Sequence, residues 1–325
     1  MRTVAACRLS AVRLTRGAFV RASLVAALTT INGQLTTVSA QQDPLFSQYM
    51  FNTLAFNPAY AGSADVLTAM ALTRHQWTGF DGAPSTQTLV AHSPLRNQSI
   101  ALGGSVIHDK AGPVKQTGAY FDIAYRIRTG ANSRLAFGLK GGGNLFQADL
   151  AGLSTVEADP SNQNLGGKFL PNFGFGLYWH TRRAYAGLSI PKLLTNDLNT
   201  ASASVITTAE EARHYFLIAG AVFDMGTEVK FKPSIMLRAV KGAPLSLDLN
   251  ANFLLRERIW LGAMVRLRDS FGVMAQYAFN EQLRVGYAFD LTTTRLGAYN
   301  SGTHELMLSY DFRFVKGRTI TPRYF

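Results

Sequence analysis

The sequence predicts an all-β protein: a transmembrane antiparallel β-barrel of about 14 strands with an N-terminal periplasmic segment. The chain is 47% hydrophobic and only 16% charged, whereas soluble domains average roughly 25% charged residues. After residue 40 it has no uncharged apolar run long enough for a spanning helix. Several segments alternate instead between apolar and polar residues. A closed sheet is the other way for a backbone to satisfy its hydrogen bonds in lipid.

Residues 1–40 have the three parts of a secretory signal peptide. Five arginines and no acid accompany an apolar run from Ala22 to Ile31, and small residues end at Ala40. A retained membrane anchor is the alternative, but polar residues interrupt the run before the roughly 20 apolar residues that an anchor needs. We expect cleavage after Ala40, which removes five of the 32 basic residues, lowers the formal charge from +12 to +7 and removes Cys7, the only cysteine.

The alternation is clearest in segment 245–253. Its odd positions are Leu, Leu, Leu, Ala and Phe, and its even positions are Ser, Asp, Asn and Asn. A helix is the alternative for this segment, but strict alternation favours a strand. The same period recurs in 120–128, 259–268, 283–290 and 306–314. A charge facing lipid costs about 2–4 kcal/mol at the bilayer midplane, so the polar residues should face a polar interior of mixed charge.

Fourteen strands are predicted, an even number as in bacterial single-chain barrels. They start near Val66, Ser85, Ser99, Thr117, Arg134, Pro171, Arg183, His214, Val229, Pro244, Ile259, Ser270, Leu283 and His304. Alternation is weaker in 99–108 and 214–224, so 12 or 16 strands also fit. Two longer links, 150–170 and 192–213, are candidate external loops. A soluble β-sandwich is the alternative fold, but it explains neither the leader nor the scarcity of charge.

The sequence carries no catalytic, metal-binding or cofactor-binding signature. Its six histidines are dispersed, and His304-Glu305 lacks the second histidine of a zinc helix. The glycine-rich stretches 141–143 and 165–169 lack the Lys-Ser/Thr of a phosphate loop. A triad assembled from separate strands remains open, although no nucleophile signature supports it. The scattered basic residues argue against a nucleic-acid partner, and we expect no cofactor or small-molecule substrate.

Several blocks in order resemble the PorP/SprF family of outer-membrane proteins, which is associated with type IX secretion and gliding motility. The first blocks are Phe46-Ser47-Gln48-Tyr49-Met50-Phe51-Asn52, Asn57-Pro58-Ala59-Tyr60-Ala61-Gly62-Ser63 and Arg74-His75-Gln76-Trp77-Thr78-Gly79-Phe80-Asp81-Gly82-Ala83-Pro84-Ser85-Thr86-Gln87, followed by His92-Ser93-Pro94-Leu95. Later matches lie at 171–174, 187–191, 213–215, 232–234, 286–287 and 302–305. The resemblance covers residues 42–325, and Thr53 departs from it by standing where the first block usually carries Pro.

The resemblance implies a non-enzymatic component of the cell outer membrane that supports secretion or surface attachment of partner proteins. Its partners would be outer-membrane lipid together with type IX ring and motor components or a secreted adhesin-like protein. The alternatives are a general diffusion porin or small-solute channel, which a polar interior suits equally well, and an outer-membrane barrel hydrolase.

We divide the chain into a signal peptide (1–40), an N-terminal segment (41–63) and a barrel (64–325). The N-terminal segment contains a turn, because Pro58 fixes φ and Gly62 permits positive φ. Its apolar residues predict that it folds against or into the periplasmic mouth and helps to seal it. The plug or docking candidates in it are Phe46, Gln48, Tyr49, Met50, Asn57, Pro58, Tyr60 and Gly62. The alternative is an ordered lead-in to the first strand without a gating role.

A second candidate region is the polar-aromatic connection between the first two strands. Its residues are His75, Gln76, Trp77, Gly79 and Pro84. Trp is a common interface anchor, which favours partner docking. Barrels also ring their membrane interfaces with aromatic residues, so a girdle tryptophan beside a tight turn is the alternative.

Overall fold

A computed structural model of the protein describes residues 43–149, 164–198 and 210–312, so the predicted leader lies outside the described residues. The described residues form 14 barrel strands. They are β1 Leu67–His75, β2 Ser85–Pro94, β3 Ile100–Ala111, β4 Val114–Arg128, β5 Arg134–Ala148, β6 Leu165–His180, β7 Ala184–Ile190, β8 His214–Ala221, β9 Val229–Val240, β10 Ser246–Leu255, β11 Ile259–Arg266, β12 Ser270–Ala278, β13 Leu283–Thr292 and β14 Thr303–Phe312. Beyond Val222, β8 continues as Phe223–Asp224, which also pairs with β9.

Helical structure in the described residues is short. It consists of one α-helix, Thr53–Phe56 (α1), and two 3₁₀ helices, Pro58–Tyr60 and Arg295–Tyr299. None of these helices is long and apolar enough to cross a bilayer.

The sheet is closed. Each strand pairs antiparallel with the next, and β1 pairs with β14 from Leu67–Phe312 through His75–His304. Closure leaves no free edge along the barrel, so backbone groups at membrane depth are bonded within the sheet. The predicted fold class and the count of 14 strands are therefore confirmed.

The two faces of the strands differ as the alternation predicts. In β10, Asp248 and Asn252 are buried inside the barrel, whereas Leu249 and Phe253 are exposed on its outside. In β4, the inward residue Asp122 is buried and its outward neighbour Phe121 is exposed. The outer surface of these strands is therefore apolar where lipid contacts it, and the charged residues Asp122 and Asp248 point inward.

Two strands begin earlier than predicted. β4 starts at Val114 instead of Thr117, and β6 at Leu165 instead of Pro171. Both extend along β5 to its last residue, Ala148, which pairs with Val114 and with Leu165. The prediction missed the start of β6 because glycines without side chains show no alternation. Residues 150–163 and 199–209, which make up most of the two predicted long links, lie outside the described residues.

The two ends of the barrel differ in the links they carry. The short-turn end holds the start of β1, the end of β14 and the links 95–99, 129–133, 181–183, 225–228, 256–258 and 279–282. The long-link end holds the links 76–84, 149–164, 191–213 and 293–302, with the short turns 112–113, 241–245 and 267–269. In outer-membrane barrels short turns face the periplasm and longer loops face outward. This rule puts the long-link end on the cell surface.

Candidate functional site

Residues 43–63, called here the interior segment, run inside the barrel from one end to the other. Asp43 lies near the long-link end, where its carboxylate is 2.7 Å from the ammonium of Lys192, two residues beyond β7. Gly62 lies near the short-turn end, where its N–H donates to His92 Nδ1 at 3.1 Å. Residues 46–62 are buried throughout, so the segment fills the polar interior that the alternation predicts.

A buried charge network holds the segment near the long-link end. The backbone N–H groups of Ser47 and Gln48 donate to the two carboxylate oxygens of Glu305, each at 2.9 Å. The hydroxyl of Ser47 donates to Asp290. Arg74 Nη1 lies 3.0 Å from Asp290 and 3.1 Å from Glu305. Because Arg74 links both acids, three strands of the wall (β1, β13 and β14) bind one turn of the segment.

A second ionic cluster joins the start of the segment to the link after β7. Lys192 lies 2.7 Å from both Asp43 and Glu211, and Asn144 and Asn172 donate to Glu211 at 2.9 and 3.1 Å. Burial alone would raise the pKa of Asp43, but the positive charge of Lys192 holds that pKa below its usual value. Burial acts on Lys192 in the opposite direction, and the two carboxylates keep its pKa above the usual value. Asp43 and Lys192 are therefore charged at neutral pH.

Close packing fixes the middle of the segment against glycines of the wall. A Cβ built on Gly138 would lie 2.1 Å from the backbone nitrogen of Ala59, and one on Gly176 would lie 2.1 Å from Asn57 Oδ1. The Asn57 side chain accepts from the Ala59 N–H and donates to the Leu177 carbonyl, both at 2.9 Å. The turn that the sequence predicts at Asn57-Pro58 is thus a buried 3₁₀ turn, and it contacts the backbone of wall glycines that have no side chain.

Aromatic side chains fill the space around the segment. Phe56 lies between Phe46 and the wall residue Phe216, with ring centroids 5.6 and 5.2 Å apart. Phe51 packs edge-on against Trp260 at 5.8 Å, and the Lys232 ammonium lies 4.6 Å from the Phe51 ring centroid. Such cation–π contacts stabilise a desolvated ammonium. The segment therefore contributes much of the hydrophobic core of the barrel.

Part of the contact between the interior segment and the barrel wall lacks hydrogen bonds. The side-chain amides of Gln48 and Asn52 are buried without hydrogen-bond partners among the described residues, as is that of Asn252 on β10. An unpaired buried polar group costs about 1–3 kcal/mol. The segment is thus bonded strongly near its ends and less strongly toward β10.

At the short-turn end, the chain leaves the interior through a charged turn. Gly62 has a positive φ of 72° and Asp65 one of 58°. The Asp65 carboxylate pairs with Arg126 and, at 2.6 Å, with Arg134. This turn directs the backbone into β1, and the two arginines fix where it does so.

The second candidate region, link 76–84, lies at the long-link end. Its Trp77 is half-buried with a left-handed φ of 52°, and its N–H donates to Thr303 Oγ1 at 3.2 Å. The Thr78 N–H donates to the Gly302 carbonyl at 2.8 Å, so this link and link 293–302 form one surface. The neighbouring Phe80 is 46% exposed.

The two sets of predicted residues do not form one site. Phe46, Gln48, Tyr49, Met50, Asn57, Pro58, Tyr60 and Gly62 line the interior, whereas His75, Gln76, Trp77, Gly79 and Pro84 lie at the outer rim. Arg74 is the closest connection between them, because it precedes His75 in the chain and contacts Ser47.

Sequence reasoning missed the groups that hold the segment: Arg74, Asp290, Glu305, Lys192 and Glu211. One signal was available, because Arg74, Asp290 and Glu305 occupy inward positions of alternating strands. Pairing between them depends on which strands close the barrel, and alternation alone does not give that. Among the described residues, no cluster of three or more His, Cys, Asp or Glu side chains is placed to hold a metal ion.

Comparison with known families decides what kind of barrel this is. The sequence model of the family described as type IX secretion system membrane protein PorP/SprF matches residues 38–310. The chain belongs to the PorP/SprF family. This PorP/SprF protein is therefore a β-barrel of the outer membrane, as the sequence predicts.

Solved structures offer more distant similarities. A FadL homologue of Pseudomonas aeruginosa has a TM-score of 0.48 at 13% identity, over 83% of this chain and 95% of that chain. The monoaromatic hydrocarbon channel CymD has a TM-score of 0.48 at 13% identity, over 83% and 94%. The outer-membrane protein Omp33 of Acinetobacter baumannii has 0.45 at 10%, over 76% and 98%. A search of curated proteins gave no match.

Proposed function

We propose that this PorP/SprF protein is a closed, non-enzymatic component of the type IX secretion system that supports secretion or surface attachment of partner proteins. One observation carries the proposal: residues 43–63 occupy the barrel interior and are bonded to its wall through Arg74, Asp290 and Glu305. A general porin needs an open aqueous interior. A barrel filled by its own chain is better suited to present surfaces to partner proteins.

In this proposal the interior segment is a plug. Its aromatic residues replace water in the lumen. The buried hydrogen bonds from its backbone N–H groups to Glu305 oppose withdrawal of the segment from the barrel. The rival is an ordered lead-in that stabilises the barrel without gating it. The division of the mature chain into a segment (41–63) and a barrel (64–325) belongs to the same proposal, as does removal of residues 1–40 as a signal peptide.

Single-channel recording in planar bilayers tests the plug. We expect the purified mature protein to be electrically silent, and a variant that lacks residues 42–60 to conduct, because the deletion removes the side chains that fill the lumen. A large, steady conductance of the unaltered protein would instead support the diffusion porin. A folded deletion variant that is equally silent would support the lead-in.

We further propose that link 76–84 is a docking surface for a protein partner at the cell surface. Trp77 is a suitable anchor because it is large, and its backbone is fixed by the hydrogen bond to Thr303. His75, Gln76, Gly79 and Pro84 shape the rim around it. The partner class that fits an outward surface is a secreted, adhesin-like protein, whereas ring and motor components would meet the short-turn end.

Cells that lack the gene test the role in secretion. Type IX cargo on the surface, in the medium and in the periplasm is measured after complementation with the intact gene or with Trp77→Ala. We expect cargo to be lost from the surface without the gene and restored by the intact gene. Normal cargo distribution in the deletion strain would contradict the proposed function.

A further inference from the structure

Polar and basic side chains face outward on β1–β4 at the long-link end, whereas most outward residues of the strands are apolar. His75 pairs across the sheet with Ser85, Ser85 with Lys110, and Lys110 with Lys115. Directly paired residues of neighbouring strands bring their Cβ atoms to roughly 5 Å. These four outward residues therefore form one continuous row, called here the basic row.

A second polar row lies one step closer to the membrane centre. It consists of Thr73, Gln87, His108 and Thr117, which are also cross-strand neighbours. His108 Nδ1 and Thr117 Oγ1 are 2.8 Å apart, and the Gln87 amide donates to Ser85 at 2.9 Å. Hydroxyl, amide and imidazole groups at this depth offer hydrogen bonds to a ligand at the membrane surface.

Below these rows the outer surface has a groove of about 370 Å³. It follows β1, because the small Ala71 pairs with Leu308 on one side and Leu89 on the other. Val106 and Leu306 complete its apolar walls, and Thr73, Gln87 and His108 line its polar end. The groove is therefore apolar along its length and polar toward the basic row.

The protein neutralises the basic row only in part. Lys110 is exposed and has no ion-pair partner among the described residues. Lys115 has one carboxylate nearby, that of Asp149 at 3.8 Å, and both side chains are largely exposed. The outward-facing described residues of β1–β4 include no Asp or Glu. Two lysines beside a lipid surface, with only one exposed carboxylate near them, favour an anionic ligand from the membrane.

We propose that the basic row and the groove form a binding site for one phosphate-bearing lipid of the outer leaflet. The lipid phosphate lies on Lys110 and Lys115, with His75 and Ser85 beside it. One acyl chain lies in the groove along β1 and covers Ala71. Lysine binds phosphate through charge-assisted hydrogen bonds, and the long-link end is the end that faces the outer leaflet.

Native mass spectrometry of the purified full-length mature protein tests the site, with phosphorylated lipid A and its dephosphorylated form as probes. We expect one tightly bound phosphorylated molecule. The double variant K110Q/K115Q should weaken its binding by at least about tenfold, as expected for the loss of a charge-assisted hydrogen bond. Lys241→Gln is the matched control, because Lys241 is an exposed lysine at the same end between β9 and β10.

A second variant and a competitor separate the two parts of the site. Ala71→Leu fills the groove and should weaken lipid binding while leaving both lysines in place. Inorganic phosphate should displace the lipid only weakly, because it cannot occupy the groove. Equal binding of dephosphorylated lipid, or full retention by K110Q/K115Q, would overturn the proposal. Full displacement by inorganic phosphate would overturn the role of the groove.

Discussion

At Gly138 the interior segment approaches the wall more closely than a methyl group allows. A Cβ there would lie 2.1 Å from the Ala59 nitrogen and 2.4 Å from the Pro58 carbonyl carbon. We expect Gly138→Ala to force the segment away from β5 and to lower the free energy of unfolding by about 1–3 kcal/mol, the usual effect of overpacking. Urea unfolding from detergent micelles measures it.

Gly141→Ala is the control for this prediction. Gly141 faces outward on the same strand, and its added Cβ would meet Phe173 at an ordinary 3.8 Å. We expect a change within about 0.5 kcal/mol, as for surface substitutions. Equal effects of the two substitutions would show that the segment does not press against β5.

Arg74 is the residue on which the charge network depends. Arg74→Met leaves Asp290 and Glu305 buried together without their cation, and breaking a buried pair in this way costs about 3–5 kcal/mol. We expect a large loss of stability and faster proteolysis of the segment. The control is Arg183→Met, whose partner Asp224 is exposed, because exposed pairs contribute about 0–1 kcal/mol. A small effect of Arg74→Met would mean that aromatic packing alone holds the segment.

Asp43 gives the start of the segment a pH dependence. Its pKa is below the usual 3.8 in the folded protein, so its pairing contributes stability above the unfolded-state pKa and loses it as the pH falls through the folded-state pKa. Hydrogen–deuterium exchange of residues 45–48, corrected for intrinsic rates, should therefore rise below about pH 3.8. Asp43→Asn should remove this step. An unchanged acid step in that variant would assign it to another carboxylate.

Among the elements, the strands were predictable, whereas the interior segment was predicted only to fold against or into one mouth of the barrel and its full path was not. A strand of a membrane barrel meets lipid on one face and a polar interior on the other, so its sequence alone carries period two. Residues 43–63 have no such period, since they are surrounded on all sides by the wall. Their position is indicated by residues far away in the sequence. These are inward glycines of the wall such as Gly138 and Gly176, where the segment leaves no room for a side chain.

The same reasoning explains the weak alternation of β3. Its inward residues Ala101 and Gly103 are small because the segment lies against them, and a Cβ on Gly103 would already meet Leu54 at 3.3 Å. The alternation pattern depends on polar side chains at inward positions. At β3 the inward side chains must instead be small, because the segment packs against them. A pattern of small inward residues is therefore the sequence mark of a filled barrel.

Trp77 in link 76–84 is expected to serve partner docking and not the folding of the barrel. Trp77→Ala should leave the barrel folded, because the hydrogen bond to Thr303 comes from the backbone N–H. We expect surface attachment of cargo to fall by about tenfold or more, as for a hot-spot tryptophan. Heat-modifiable mobility on gels checks the fold, and surface labelling measures the cargo. A folded variant with full attachment would favour the girdle role of Trp77.

In the barrel as a whole, the closed sheet and the interior segment that fills it stabilise the fold together. The closed sheet satisfies the backbone in lipid, and the interior segment supplies the core that the polar wall lacks. The described barrel is therefore filled along its axis, and its two ends carry different surfaces. Function is then expected at the ends and on the lipid-facing side rather than along the axis.

The orientation of the barrel in the membrane determines which partners each end meets. The distribution of short and long links predicts that link 241–245 faces outward and link 129–133 faces the periplasm. In a mature chain without other cysteines, Lys241→Cys should react on intact cells with a membrane-impermeant maleimide. Ala131→Cys should react only after the outer membrane is opened. Both residues are exposed. Labelling therefore depends on the side of the membrane on which each residue lies, and not on burial of its side chain.

The reverse labelling pattern would have consequences beyond topology. It would put Trp77 and Asp43 in the periplasm, where link 76–84 meets ring and motor components instead of secreted cargo, and it would put the basic row in the inner leaflet. The expected pattern puts Asp43 at the outward mouth of the barrel, close to the cell surface. A cargo protein bound there would contact the segment directly, at the end where Lys192 and Glu305 hold it.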